Sequence, residues 1–246
     1  MNKKKPKIIM IQNGPMSADI LFGKYFSPDL FNVDVFISWS PTNRQTKEDL
    51  IQYFKQYNGI ILSGSPSMIT DRHAWTCNLS LALKEIILEQ KIFILGICFG
   101  HQLICDMFGC KIGWIPSLLW QLGLTNISLT NESKNDPLFS TIDQTNMEVI
   151  TNHKQIVLDI NEINCNLFTL LASTSFNKYY AFRIGNKVWT TQFHPEYTID
   201  LIKTIIKNNT SEILDADKRL EEVSKYNGVG EMIINNFSTL LLSKGS

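Results

Sequence analysis

The chain has 246 residues, of which 44% are hydrophobic and 11% aromatic, so it carries enough apolar material for a full core and is not a disordered polymer. Its 23 basic residues balance 23 acidic ones to a formal net charge of +0, with no basic run beyond Lys3-Lys4-Lys5, which excludes nucleic acid as an expected partner. The five cysteines (77, 98, 105, 110 and 165) are odd in number and lack CxxC pairing, an argument against a disulfide framework or a metal site and for a reducing, cytoplasmic setting.

The first apolar run, 7–11, is broken at once by Gln12, Asn13 and Gly14. It is too short for a secretory or membrane segment and reads as a strand of a soluble protein. Runs at 33–37, 59–62 and 91–97 are also of strand length, and helical spacing appears at 47–57 and 79–90. Strands alternating with helices predict an α/β fold with a mostly parallel central sheet flanked by helices. From about Lys111 the pattern becomes alternating and β-branched, at 124–129, 147–151, 167–172, 179–184 and 188–193, with Gly185-Asn186 as a hairpin signal. This predicts an antiparallel β insertion. Helical spacing returns at 199–207, 214–224 and 230–242, and the last helix lacks a basic face, so docking onto the sheet is expected rather than membrane binding. No repeat or Pro/Gly-rich linker divides residues 1–246, which are expected to form one domain.

Three strand ends carry residues with chemistry. The run 91–97 passes straight into Cys98-Phe99-Gly100-His101-Gln102, whose spacing suits a helix. Gly96 and Gly100 flank the cysteine as a tight strand-to-helix elbow requires, because side chains would collide where the backbone doubles back. The positive end of the following helix favours thiolate, and the Phe99 N–H would face the sulfur's target. Taken alone, G-x-C-x-G describes a buried cysteine between packing glycines equally well. The strand 188–193 ends in His194-Pro195-Glu196. Pro195 keeps His194 extended, so Glu196 can lie on the same side and orient the imidazole. Alone, this is also a plausible polar turn. His194 lies 96 positions beyond Cys98, and both sit where ligands bind in open α/β sheets, which favours catalysis. The strand 59–62 leads into Ser63-Gly64-Ser65-Pro66, whose backbone N–H at Ser65 could join that of Phe99 in an oxyanion hole. An ordinary surface turn has the same composition.

Together, Gln12-Asn13-Gly14-Pro15, Ser63-Gly64-Ser65-Pro66, Gly96-Ile97-Cys98-Phe99-Gly100-His101-Gln102, Ala181-Phe182-Arg183, Gln192-Phe193-His194-Pro195-Glu196 and Asn235-Asn236-Phe237 resemble the class I glutamine amidotransferase domain. The likeness is strongest to stand-alone members similar to the glutaminase part of GMP synthase, and it covers nearly the whole chain. It implies a flavodoxin-like fold and a Cys98, His194 and Glu196 triad that hydrolyses a γ-glutamyl amide through a thioester. It also implies that Gly64, Gln102 and His153 line the substrate pocket. The substrate would be glutamine or another γ-glutamyl compound, and ammonia would pass to a separate synthase or the enzyme would act alone; a non-catalytic protein keeping the fold is the further alternative. No cofactor is needed for acyl transfer by thiolate, imidazole and backbone dipoles. Two departures stand out: Gly64-Ser65 replaces the Gly-Gly of many relatives, and Asn152-His153-Lys154-Gln155 stands where they often carry His-Gly-Asp. Trp114 and Trp120, flanking Pro116, could cover the active site or form a partner surface, and the core is the favoured place for them.

Overall fold

The computed structural model describes residues 4–43, 45–116, 119–142, 145–160 and 165–244. The first half alternates β1 (Lys7–Gln12), α1 (Ala18–Phe22), β2 (Asn32–Ile37), α2 (Lys47–Phe54), β3 (Gly59–Leu62), α3 (Trp75–Glu89), β4 (Phe93–Ile97) and α4 (Phe99–Met107). A β-rich stretch follows: β5 (Lys111–Trp114), β6 (Gln121–Leu129), β7 (Asn146–His153), β8 (Gln155–Asp159), β9 (Phe168–Ser173), β10 (Ala181–Ile184) and β11 (Val188–Thr191). The chain closes with α5 (Ile199–Asn208), α6 (Ala216–Ser224) and α7 (Glu231–Lys244).

Nine strands form one mixed sheet in the order β2-β1-β3-β4-β11-β10-β9-β6-β7. The first five are mutually parallel, and β11, β10, β9, β6 and β7 pair antiparallel in turn. Side chains alternate between two cores. Ile8 and Met10 of β1, Ile61 of β3, and Phe93, Leu95 and Ile97 of β4 pack with α1, α5 and α7 on one face. On the other, Ile9, Ile11, Ile60, Leu62 and Ile94 pack with α2, α3 and α4. Burial on both faces explains why these strands read as unbroken apolar runs.

The α/β class and the mostly parallel centre agree with expectation. The expected insertion, however, joins the main sheet with five of its strands, and only β5 and β8 form a separate ribbon. Helix α3 starts four residues earlier than its apolar spacing predicts, because its first turn is held by Trp75 stacking on Phe99 (ring centroids 5.5 Å apart) rather than by a periodic apolar face. The hairpin at Gly185 is present, with φ +57 between antiparallel β10 and β11.

Candidate active site

The strands β1, β3, β4 and β11 all point their carboxyl ends toward one cavity of about 330 Å3. Its walls come from the loops after those strands together with the β7–β8 junction. The site therefore lies where the parallel topology leaves a crevice.

Cys98 sits at the turn from β4 to α4 with φ 50 and ψ −98, a conformation that costs a non-glycine residue about 1–3 kcal/mol. Neighbours enforce it. Its N–H donates to Thr191 O at 2.8 Å, continuing the β4–β11 pairing, and Gln102 N donates back to Cys98 O at 3.0 Å, opening the helix. A Cβ on Gly100 would lie 2.6 Å from Leu62 O, and one on Gly96 would meet Ile104 Cδ1 at 2.8 Å. Both glycines are thus needed for the helix to approach the sheet so closely. Phe99 opens α4, and the first N–H groups of a helix have no intrahelical acceptor.

His194 is delivered by the continuation of β11, where its N–H donates to Ile150 O at 2.8 Å. Its Nδ1 donates to Glu196 Oε1 at 2.7 Å, and both side chains are buried. The Nε2 atom is buried without a hydrogen-bond partner, and His194 lines the same cavity as Cys98. A Cβ on Gly64 would fall 2.8 Å from His194 Cε1 and 3.6 Å from Cys98 Cβ, so this glycine leaves room exactly between the two side chains' edges and brings the β3 loop against both. Burial alone would lower the imidazole pKa; Tyr197, Glu196 and Cys98 outweigh it and hold it well above the ordinary histidine value.

Of the other residues expected here, Gly64, Ser65, Gln102 and His153 all line the cavity. The Gln102 amide nitrogen donates to Gln155 O at 2.7 Å and to Gln192 Oε1 at 3.0 Å. His153 pairs through Nε2 with the Tyr180 hydroxyl at 3.0 Å, and burial, reinforced by nearby His194, pushes its pKa down to about 3. It is therefore neutral at physiological pH.

Gln192 and Tyr197 were not anticipated, and Asn152 and Trp120 take more specific places than expected. Gln192, turned by its bond from Gln102, donates through Nε2 to Cys98 Sγ at 3.7 Å. The thiol in turn faces Asn152 O at 3.6 Å. Tyr197 stacks on the His194 ring with centroids 4.0 Å apart, and its place three residues after the histidine was the available clue. Trp120 packs against the core as expected and also lines the cavity, where its indole N–H donates to Asn152 Oδ1 at 2.9 Å. Trp114 is exposed on the short β5 ribbon, which has too little covering structure to bury it. Among the described residues no group of three or more His, Cys, Asp or Glu is placed to hold a metal ion. Nor, among them, is any helix long and apolar enough to cross a membrane.

The model of the glutamine amidotransferase class-I family matches residues 29–213. The chain is 34% identical over 145 residues to a glutamine-hydrolyzing GMP synthase of Wolbachia pipientis wMel, covering 57% of this chain and 26% of that protein. It is 30% identical over 153 residues to gamma-glutamyl peptidase 3 of Arabidopsis thaliana, covering 61% of this chain and 59% of the peptidase. The alignments thus span about a quarter of the synthase and less than two thirds of the peptidase. The crystal structure of a glutamine amidotransferase from Thermotoga maritima shares the fold, with a TM-score of 0.73 at 15% identity over 97% of each chain.

Proposed function

Because the chain belongs to the class-I glutamine amidotransferase family, we propose that it hydrolyses the γ-glutamyl amide of glutamine, with Cys98 as nucleophile, His194 as acid and base, and Glu196 as the group that orients and charges His194. The observation that carries this reading is the buried His194 ring, whose Nδ1 is tied to Glu196 at 2.7 Å while Nε2 stays unpartnered in a cavity shared with Cys98.

The Cys98 sulfur, as thiolate, attacks the amide carbon, and the carbonyl oxygen takes the negative charge. Backbone N–H groups of Ser65 and Phe99 stabilise that oxygen, an effect worth about 3–4 kcal/mol per donor in comparable sites. Protonated His194 then gives its Nε2 proton to the departing nitrogen, so ammonia leaves and a thioester forms. Neutral His194 next takes a proton from water, whose oxygen attacks the thioester carbon. The acid is released and the thiol pair is restored, with no cofactor consumed. Gly64, Gln102 and His153 shape the pocket that holds the substrate.

Ammonia would pass to a separate synthase in the cytoplasm. A solitary role on γ-glutamyl peptides is the second reading, favoured by the cavity's apolar wall of Met16, Met68, Trp120 and Ile205, which offers a surface for a leaving group larger than ammonia. An electrophilic diazoketone analogue of glutamine tests the shared chemistry. A covalent adduct on Cys98, found by mass spectrometry and absent in Cys98→Ala, is expected; an adduct on another cysteine, or none, would remove the assignment.

A further inference from the structure

The charges around the cavity are uneven. Among the described residues that line it, the one carboxylate side chain, Glu196, is already committed to His194 at 2.7 Å. The one lysine or arginine among those described residues is Lys154, whose Nζ lies 4.3 Å above the Trp120 ring and 3.4 Å from Glu212 Oε2 at the exposed rim. That pair is solvent-screened and weak, so an incoming carboxylate can displace Glu212. Beside it, Gln155 is buried to 1% exposure and lines the cavity; one amide atom, Nε2, bonds Thr70 Oγ1 at 2.6 Å, and the other, Oε1, is buried without a partner. Whichever amide atom faces the ligand, it carries no charge.

Position matters as much as sign. The Asn152 carbonyl touches the Cys98 sulfur at 3.6 Å, and Lys154 is two residues along. Two residues of extended chain cover at most roughly 7 Å. The flexible lysine stem therefore reaches the far end of a five-carbon acid whose amide carbon rests on the sulfur. An α-carboxylate placed there meets a cation, whereas an α-ammonium meets Lys154 and an uncharged amide, and the one carboxylate beside them, Glu212, is solvent-exposed on the rim and compensates it only weakly. A charge taken out of water without a counter-charge is disfavoured, and such unpaired groups are how sites reject a competitor.

We propose that Lys154 and Gln155 set the substrate class, selecting γ-carboxamides of acids whose α-nitrogen is uncharged or missing, such as N-acylated glutamine or a dicarboxylic acid monoamide, over free glutamine. This rests on the thiol-hydrolysis chemistry proposed above and changes its preferred substrate from glutamine itself to these relatives. Lys154 holds the carboxylate; Gln155 accepts or donates one neutral hydrogen bond to the acyl-amide or to the chain's bare end.

The test uses the full chain with three amides: glutamine, N-acetylglutamine and glutaric acid monoamide. The two compounds lacking an ammonium should show kcat/KM at least roughly tenfold above glutamine, the ratio that 1.4 kcal/mol gives. Lys154→Met should raise KM for all three with little change in kcat, and Gln155→Glu should move the preference toward glutamine. Calorimetric binding to Cys98→Ala, with the recognition residues unaltered, should give the same order of affinities without any chemistry. Glutamine bound as tightly as, or better than, N-acetylglutamine by that variant overturns the proposal. If this occurs while the diazoketone still labels Cys98, hydrolysis stands and only the specificity falls; if neither labelling nor turnover occurs, the hydrolytic reading falls and this inference with it.

Discussion

Glu196→Gln isolates the charge behind the imidazole. The wild-type bond from Nδ1 to Oε1 is 2.7 Å between buried side chains. A buried hydrogen bond to a charged group contributes about 1.5–3 kcal/mol. Glutamine keeps the shape and can still accept from Nδ1 through its amide oxygen, so the ring's orientation survives and only the charge is lost. That loss falls on the state in which His194 is protonated. At about 1.4 kcal/mol per factor of ten, kcat/KM should drop roughly 10- to 150-fold. The pH dependence has a definite sign. Burial lowers the His194 pKa, and Tyr197, Glu196 and Cys98 together raise it well above its usual value. Removing the Glu196 charge lets burial pull it down, so the histidine limb of the rate profile moves to lower pH. A raised folded-state pKa contributes stability that is complete below the unfolded value of 6.5 and disappears as pH rises through the folded value. The variant should therefore lose more stability near pH 6 than near pH 9. The assay is Cys98 alkylation and amide turnover between about pH 5 and about pH 9, with urea unfolding at both ends. An unshifted profile with a rate within twofold of wild type, allowing about 0.4 kcal/mol, would refute the role given to this carboxylate.

Cys98→Gly should abolish turnover yet raise stability by about 1 kcal/mol, since φ 50 with ψ −98 is strained for cysteine and free for glycine; thermal melting against Cys98→Ala, which keeps the strain, checks it. His101 is buried, pairs with Thr190 Oγ1 at 2.9 Å, and has its pKa pushed down by burial to about 3. Its contribution is complete above 6.5 and shrinks as pH falls toward 3, so His101→Asn should flatten the loss of stability in that window by about 1.4 kcal/mol per pH unit, read from urea midpoints. Asp136 accepts from Trp189 Nε1 at 3.0 Å and from Leu138 N at 2.9 Å, and pairs with Arg183 Nε at 3.0 Å. Asp136→Ala should cost about 3–5 kcal/mol of unfolding free energy and Asp136→Asn less, with both scored by denaturant titration.

The parallel strands were legible because burial on both faces leaves no polar alternation to confuse the reading, as in Ile8 to Ile11 and Ile60 to Leu62. The elbow was legible for a steric reason: Gly96 and Gly100 are where a Cβ would strike Ile104 and Leu62, so their spacing around Cys98 records the backbone's path. His194 and Glu196 were legible as a pair from their spacing across Pro195, but the chain there is a turn, with Tyr197 N donating to His194 O at 3.5 Å, and not the extended segment expected. What could not be read depends on long-range packing. Gln192 reaches the sulfur only because Gln102, 90 positions away, turns its amide. Trp120 faces the cavity because Asn152, 32 positions on, takes its indole N–H. The short β5 lacks an apolar run and is exposed at both ends, whereas β8 carries Ile156-Val157-Leu158 with its first half buried, a run of only three apolar residues.

Stability and function pull apart at one end of this sheet. Among the described residues, eight buried side-chain atoms lack a hydrogen-bond partner, and four of them, on His153, Gln155, His194 and Glu196, belong to cavity-lining residues. Each such atom costs a folded protein about 1–3 kcal/mol. Cys98 adds its left-handed backbone in the same place. A chain selected for stability alone would not gather half of these penalties around one crevice. The unfilled atoms and the strained backbone at Cys98 are mutually explained if a ligand completes the bonds that the fold leaves open.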